Sequence, residues 1–144
     1  MADPRNAVDF EGIGALTATY KIDGSTIVYD ATKANGASAL TIGKAVTLSA
    51  DDTVALAADG EAVEGTLLLV ESDNKCTVQV SGYTNLPGGN GASLTRGKKI
   101  VGALNASSEK GYIREVATGT AAELGRARGT IVRSGTATAV VVRL

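Results

Sequence analysis

Histidine is absent from the 144 residues, which removes most of the chemistry a chain of this size could perform. There is no His-dependent triad, no imidazole metal ligand and no ordinary acid–base group titrating near neutrality. None of the serines stands in a Gly-x-Ser-x-Gly elbow, the setting that exposes a nucleophile on a strand-to-helix turn. Two carboxylate pairs remain, Asp9 with Glu11 and Asp51 with Asp52, and paired carboxylates can divide acid–base work when held close. Asp51 and Asp52 adjoin on a predicted turn, where they diverge into solvent. Asp9 and Glu11 fall in an N-terminal arm and suit an interface as well as a site. The sequence therefore predicts a protein that is not an enzyme.

Ligand motifs fare no better. The run Gly91-Ala92-Ser93-Leu94-Thr95-Arg96-Gly97-Lys98-Lys99 has the look of a phosphate-binding loop. That motif needs four residues between its glycines and a hydroxyl after the lysine to hold magnesium. Here five intervene, Lys99 follows, and no helix is predicted behind it. Asp51, Asp52, Asp59 and Asp73 lack the spacing of a calcium loop and read as turn residues. Cys76 is the one cysteine, so neither an internal disulfide nor a cysteine metal site can form. It is expected as a small buried apolar residue. No cofactor and no metal is expected.

Charge separates along the chain. Residues 1–95 carry 5 Lys/Arg against 12 Asp/Glu, a net of −7, and residues 96–144 carry 9 against 3, a net of +6. A total of −1 argues against a nucleic-acid binder, which needs a basic face. The halves either neutralise each other within one fold or make a dipolar subunit whose ends suit head-to-tail or lattice contacts. Arg96, Lys98 and Lys99, then Arg126, Arg128 and Arg133, form two basic groups that suit strand ends or an acidic partner. The opening Met1–Asn6 lacks the basic and apolar regions of a signal peptide, and the longest apolar runs, Leu67–Val70 and Ala139–Val142, are too short for a membrane. The expectation is a soluble protein made in the cytoplasm.

The elements that must carry these residues are strands. Leu16–Ile22 alternates with period two, placing Leu16, Ala18, Tyr20 and Ile22 on one face. Asp23-Gly24 then predicts a turn and Thr26–Asp30 a return strand, making a hairpin. Further strands are expected at Ala45–Leu48, Thr53–Leu56, Ala62–Val70, Cys76–Val80, Lys99–Leu104, Tyr112–Val116, Gly129–Arg133 and Thr138–Arg143, separated by turn clusters that include Asp51-Asp52, Asp59-Gly60 and Ser72-Asp73-Asn74. One short helix is expected within Thr118–Arg126, capped by Thr120 and ended by Gly125. Only 3% of the chain is aromatic, so each core position gains less from burial, and support from neighbouring subunits is a physical expectation.

Part of the chain echoes itself. Leu40-Thr41-Ile42-Gly43-Lys44 is matched by Leu94-Thr95-Arg96-Gly97-Lys98, and Gly65-Thr66-Leu67 by Gly129-Thr130-Ile131. Val78 and Val80 are matched by Val140 and Val142, at an offset two residues shorter than that of the Gly-Thr step. Two such β units, 40–80 and 94–142, would bury their apolar faces against each other. The expected fold is all-β: a small barrel or sandwich built from two similar β units. Residues 1–39 would form an N-terminal arm and hairpin outside it, and 81–93 a connector.

From Leu40 onward the chain resembles the capsid decoration (cement) proteins of tailed bacteriophages. The likeness is carried by Gly-Lys-Ala-Val-Thr-Leu at 43–48, Thr-Val-Ala-Leu-Ala at 53–57, Gly-Glu-Ala-Val-Glu-Gly at 60–65, Thr-Val-Gln-Val-Ser-Gly at 77–82, Leu-Thr-Arg-Gly-Lys-Lys at 94–99 and the closing Val-Val-Val-Arg-Leu. It implies a homotrimer on the capsid exterior that bridges major capsid proteins, without nucleic acid, membrane or small-molecule substrate. Asp3, Pro4, Arg5, Val8 and Phe10 of the arm, with Tyr20, Tyr29, Arg126 and Arg128, are the expected contact residues. The alternative is another β-rich virion or surface module, a tail, fibre or carbohydrate-binding domain, for which Tyr83 and Tyr112 are the aromatics to examine.

Overall fold

A computed structural model describes residues 14–117, 120–134 and 139–144. Along them run β1 (Leu16–Ile22), β2 (Ala45–Ala50), β3 (Thr53–Leu56), β4 (Gly65–Val70), β5 (Lys75–Ser81), β6 (Tyr83–Pro87), β7 (Ile100–Ala103), β8 (Tyr112–Glu115), a six-residue helix α1 (Ala121–Arg126), β9 (Thr130–Ile131) and β10 (Ala139–Arg143). The all-β expectation holds, with α1 as a single turn-and-a-half of helix. Thr120 is its N-cap residue but makes no side-chain capping bond, and Gly125 lies inside the helix rather than ending it.

The first five strands close into a barrel in the order β1-β3-β2-β4-β5. Closure leaves no strand edge open and encloses Val46, Val54, Leu67, Val70, Cys76 and Val78, all at most 2% exposed. The period-two face of β1 turns Ala18, Tyr20 and Ile22 toward this interior while Thr17, Thr19 and Lys21 face water. Leu16, expected on the inner face, lies at the strand end and is exposed.

The predicted 16–30 hairpin does not form. β1 pairs antiparallel with β5 and parallel with β3, so it is a stave of the barrel. Alternation marks a strand but not its partner, and here the partners that complete the apolar interior lie 32 to 65 residues away. After β1 the Asp23 carboxylate accepts the N–H groups of Thr26 and Ile27 and the hydroxyls of Ser25 and Thr26. This local Asp turn folds the chain back without a strand. It delivers Ile27 into the core at zero exposure and places the Thr26 hydroxyl to accept the Leu56 N–H. Residues 16–39 are thus part of the barrel, and not an appendage to a domain beginning at 40.

The later strands form a three-stranded sheet in the order β6-β10-β9 and a two-stranded sheet β7-β8, and several of their pairings parallel those of the barrel. β2 and β3 align Val46 with Leu56, Thr47 with Ala55 and Leu48 with Val54. β7 and β8 align Ile100 with Glu115, Val101 with Arg114 and Gly102 with Ile113. β4 and β5 align Leu67 with Val78, as β9 and β10 align Ile131 with Val142. By this register Val142 stands to Ile131 as Val78 stands to Leu67. Loop bonds recur too. Gly43 donates to the Leu67 carbonyl at 2.7 Å and Gly97 to that of Ile131 at 2.8 Å; Glu64 donates to Val46 at 2.7 Å and Arg128 to Ile100 at 3.1 Å.

β6 is the strand that sequence patterning left as a connector. It pairs antiparallel with β10 as β1 does with β5, and a parallel bridge between Gly88 and Ile113 stands where Ile22 meets Val54. A bridge between Ile100 and Arg128 joins β7 to the segment leading into β9. Leu86, Leu94, Ile100, Ile113, Ile131 and Val142 make the second core, joined by Ala45, Ala57 and Val63 from the first barrel.

Candidate interaction surface

The two strand sets meet along a polar seam. Arg128 reaches from the second set to the first, donating through Nη1 to the Glu64 carbonyl at 2.8 Å and through Nη2 to the Val80 carbonyl at 2.6 Å, with the Glu64 carboxylate 3.5 Å away. The fixed fork of a guanidinium suits it to two carbonyls at once. Glu64 also accepts the Tyr20 hydroxyl at 2.8 Å. Burial, and then this bond to Glu64, push the Tyr20 phenol above its ordinary pKa. Tyr20 and Arg128, two of the expected contact residues, are thus gathered on one carboxylate and hold the molecule together.

A second cluster lies farther along the seam. Arg114 on β8 pairs with Asp59 at 2.8 Å and with Glu123 of α1. Glu123 also accepts the Ala117 N–H. The Arg114 bond, reinforced by Ala117, holds the Glu123 carboxyl below the usual range, and both acidic partners raise the Arg114 pKa. The Thr66 and Thr84 hydroxyls are 2.8 Å apart across the same junction, and Lys44 stands over the Tyr112 ring, 4.4 Å from its centroid. That cation–π contact covers one face of the aromatic a sugar would need.

The acidic candidates settle as turn and bridge residues. Asp51 and Asp52 form the exposed β2–β3 turn, Asp52 with φ 54°. Asp59 is bound to Arg114, and Asp73 lies 3.5 Å from Lys75 in the β4–β5 turn. Among the described residues no three His, Cys, Asp or Glu side chains gather to hold a metal ion. The 91–99 loop leads into β7 and not into a helix. Cys76 is fully buried, and burial pushes its thiol up to about 11. No helix among the described residues is long and apolar enough to cross a membrane.

What the surface offers here is an exposed leucine set among polar and charged neighbours. Leu48 is 53% exposed and lines two adjoining open depressions. One is shared with Tyr20, Ser49, Ala50, Asp51 and Asp52, the other with Thr47, Glu61, Ala62 and Arg126. Arg126, exposed on α1, therefore joins Tyr20 at one surface. Tyr29 is apart, packed on the first core and bordering a separate depression with Val28, Ala31 and Thr41. Asp3, Pro4, Arg5, Val8 and Phe10 lie outside the described residues.

Sequence reasoning missed Leu48 and Glu64. Val46 is fully buried and Leu48, two residues on in the same strand, is exposed; the ladder shifts just beyond it, between Leu48 and Ala50. The charge separation, by contrast, maps onto the architecture. Residues 16–81 carry four Lys against nine Asp/Glu and residues 83–144 nine Lys/Arg against three. Comparison with protein-family models, curated proteins and solved structures finds no match to the chain.

Proposed function

We propose that this protein is a capsid decoration (cement) protein of a tailed bacteriophage, without catalytic activity, that binds the outside of the assembled shell as a homotrimer and bridges major capsid proteins. The chain is read as two copies of one five-stranded β unit, clamped by Arg128 and Arg114 into a stiff body. The observation that carries the proposal is the exposed Leu48 side chain on that body, flanked by Asp51 and Asp52 on one side and Arg126 on the other. Apolar surface framed by charges of both signs suits association with a protein lattice. A ligand that binds only the assembled shell stabilises it by mass action, and contacts made from several subunits multiply the effect. The arm at 1–12, and separately Tyr20, Tyr29 and Arg126, supply further attachment.

The test is to add the protein to capsids lacking any decoration and measure bound copies and shell melting. Saturable binding with a raised melting temperature supports the proposal, and so does loss of occupancy on removing residues 1–12. Binding to bacterial glycans with none to capsids would transfer the protein to the tail, fibre or carbohydrate-binding class.

A further inference from the structure

We infer that copies of this chain join head to tail, the β2–β3 hairpin of one seating against Lys98, Lys99 and residues 116–117 of the next. The argument rests on the self-association proposed above but not on capsid binding.

Within one chain the two strand sets meet through unlike faces. The β7–β8 hairpin of the second set inserts its backbone against the first barrel: Ala45 donates to the Gly111 carbonyl, Gly111 to Ala57, Gly60 to Gly102 and Gly102 to Glu61, all at 2.8–2.9 Å. The recurring ladders assign each participant a counterpart. Gly102 corresponds to Leu48 and Gly111 to Asp52, both on the β2–β3 hairpin. Ala45 and Ala57 correspond to Lys99 and Val116, because Ala57 donates to Ala45 at 3.0 Å just as Val116 donates to Lys99 at 3.1 Å.

In the internal contact Ala45 and Ala57 have zero exposure, Gly102 and Gly111 are buried, and Gly60 and Glu61 are half-buried. Their counterparts Leu48, Asp52 and Lys99 are exposed, and Val116 is half-buried. One chain thus presents the inserting hairpin at one end and the receiving edge at the other. Unlike faces of this kind generate rings or filaments, according to whether the rotation between copies closes.

Charge identifies the occupant as a second copy. By the internal geometry, Asp52 of one chain comes beside Lys99 of the next, with Asp51 and Lys98 adjacent. An acidic tip meets a basic edge, on opposite ends of a molecule whose two strand sets carry opposite net charge. The spacing must differ from that inside the chain. Gly102 permits an approach in which an added Cβ would lie 2.3 Å from the Ala58 carbonyl oxygen, and Leu48 forbids the same approach. The intermolecular contact is therefore wider, filled by the Leu48 side chain and sensitive to salt.

The test is sedimentation equilibrium of the full chain at low and high salt, with three variants. Asp51→Lys/Asp52→Asn reverses the tip while keeping a residue that tolerates positive φ at 52, Lys98→Glu/Lys99→Glu reverses the edge, and the combined chain carries both. Unchanged circular dichroism and melting establish that each variant folds. Expected are salt-weakened assembly of the parent chain, at least a tenfold loss of association in each single-face variant, and recovery in the combined chain. Parent-like assembly in both single-face variants, or a parent chain that stays monomeric at every salt concentration, overturns the inference. A monomeric parent that still binds capsids removes this contact and the homotrimer with it, and leaves capsid decoration by single subunits standing. A charge-dependent oligomer that ignores capsids does the reverse.

Discussion

Gly102→Ala is the sharpest probe of the seam between the two strand sets. The backbone at Gly102 does not adopt positive φ, so alanine brings no conformational penalty there. The penalty is steric. The new methyl would sit 2.3 Å from the Ala58 oxygen and 3.0 Å from the Ala57 Cβ, and the first of these is a backbone atom with no rotamer to change. The β7 strand must move away from residues 57–61, stretching the Gly60-to-Gly102 and Gly102-to-Glu61 bonds of 2.9 and 2.8 Å. Overpacking costs about 1–3 kcal/mol and two weakened hydrogen bonds about 1 kcal/mol each, so the loss is roughly 3–5 kcal/mol. For a chain of this length that lowers the melting temperature by roughly 10–15 °C. Gly43→Ala makes the complementary control, since Gly43 has φ 79° and nothing within 4 Å of a new Cβ; its cost is the left-handed backbone alone, about 1 kcal/mol. Urea unfolding of the three proteins supplies the comparison. A Gly102→Ala protein within about 1 kcal/mol of its parent would refute the close approach of the two strand sets.

Three other perturbations follow from the seam and the core. Arg128→Ala leaves the Glu64 and Val80 carbonyls without their shared donor, an expected loss of about 2–4 kcal/mol in denaturant titration; Arg128→Lys, lacking the fork, should recover less than half of it. Glu123 has a lowered folded-state pKa, so its contribution to stability is present above its unfolded pKa of about 4.3 and disappears as pH falls through the folded value. Melting curves between pH 7 and pH 3 should accordingly show Glu123→Gln less stable than the parent at neutrality, with the gap narrowing below about pH 4.5. A gap that stays constant across that range would detach Glu123 from the acid response. Cys76, buried and with its thiol raised to about 11, should resist thiol reagents at pH 8 in the native protein and react at once in denaturant. Rapid labelling of the native state would contradict its place in the core.

Local pattern by itself determined the strand content of this protein. Eight of the nine later strands lie where apolar and β-branched runs sit between turn residues, because a residue's preference for an extended backbone is expressed within a few neighbours. The Gly43 and Gly97 turns were legible for the same reason: each loop needs a positive φ, and glycine supplies it. Cys76 and the turn acids Asp51, Asp52 and Asp73 were readable from type and setting alone.

Pairing was decided only in three dimensions. β1 shows the same alternation whether it folds on Thr26–Asp30 or closes a barrel between β3 and β5, and burial of the shared interior selects the second. β6 was hidden because Tyr83–Pro87 ends in proline and runs into glycines, a composition that reads as loop; its partner β10 completes the ladder. The seam was equally silent. Nothing near Glu64 marks it as the acceptor of Tyr20 and the neighbour of Arg128, because those residues stand 44 and 64 positions away. Nor does Leu48 announce its exposure, since Val46 in the same strand is fully buried. Side-chain type set what each strand and turn would be, and the closing of the chain on itself set which of those side chains were left facing outward.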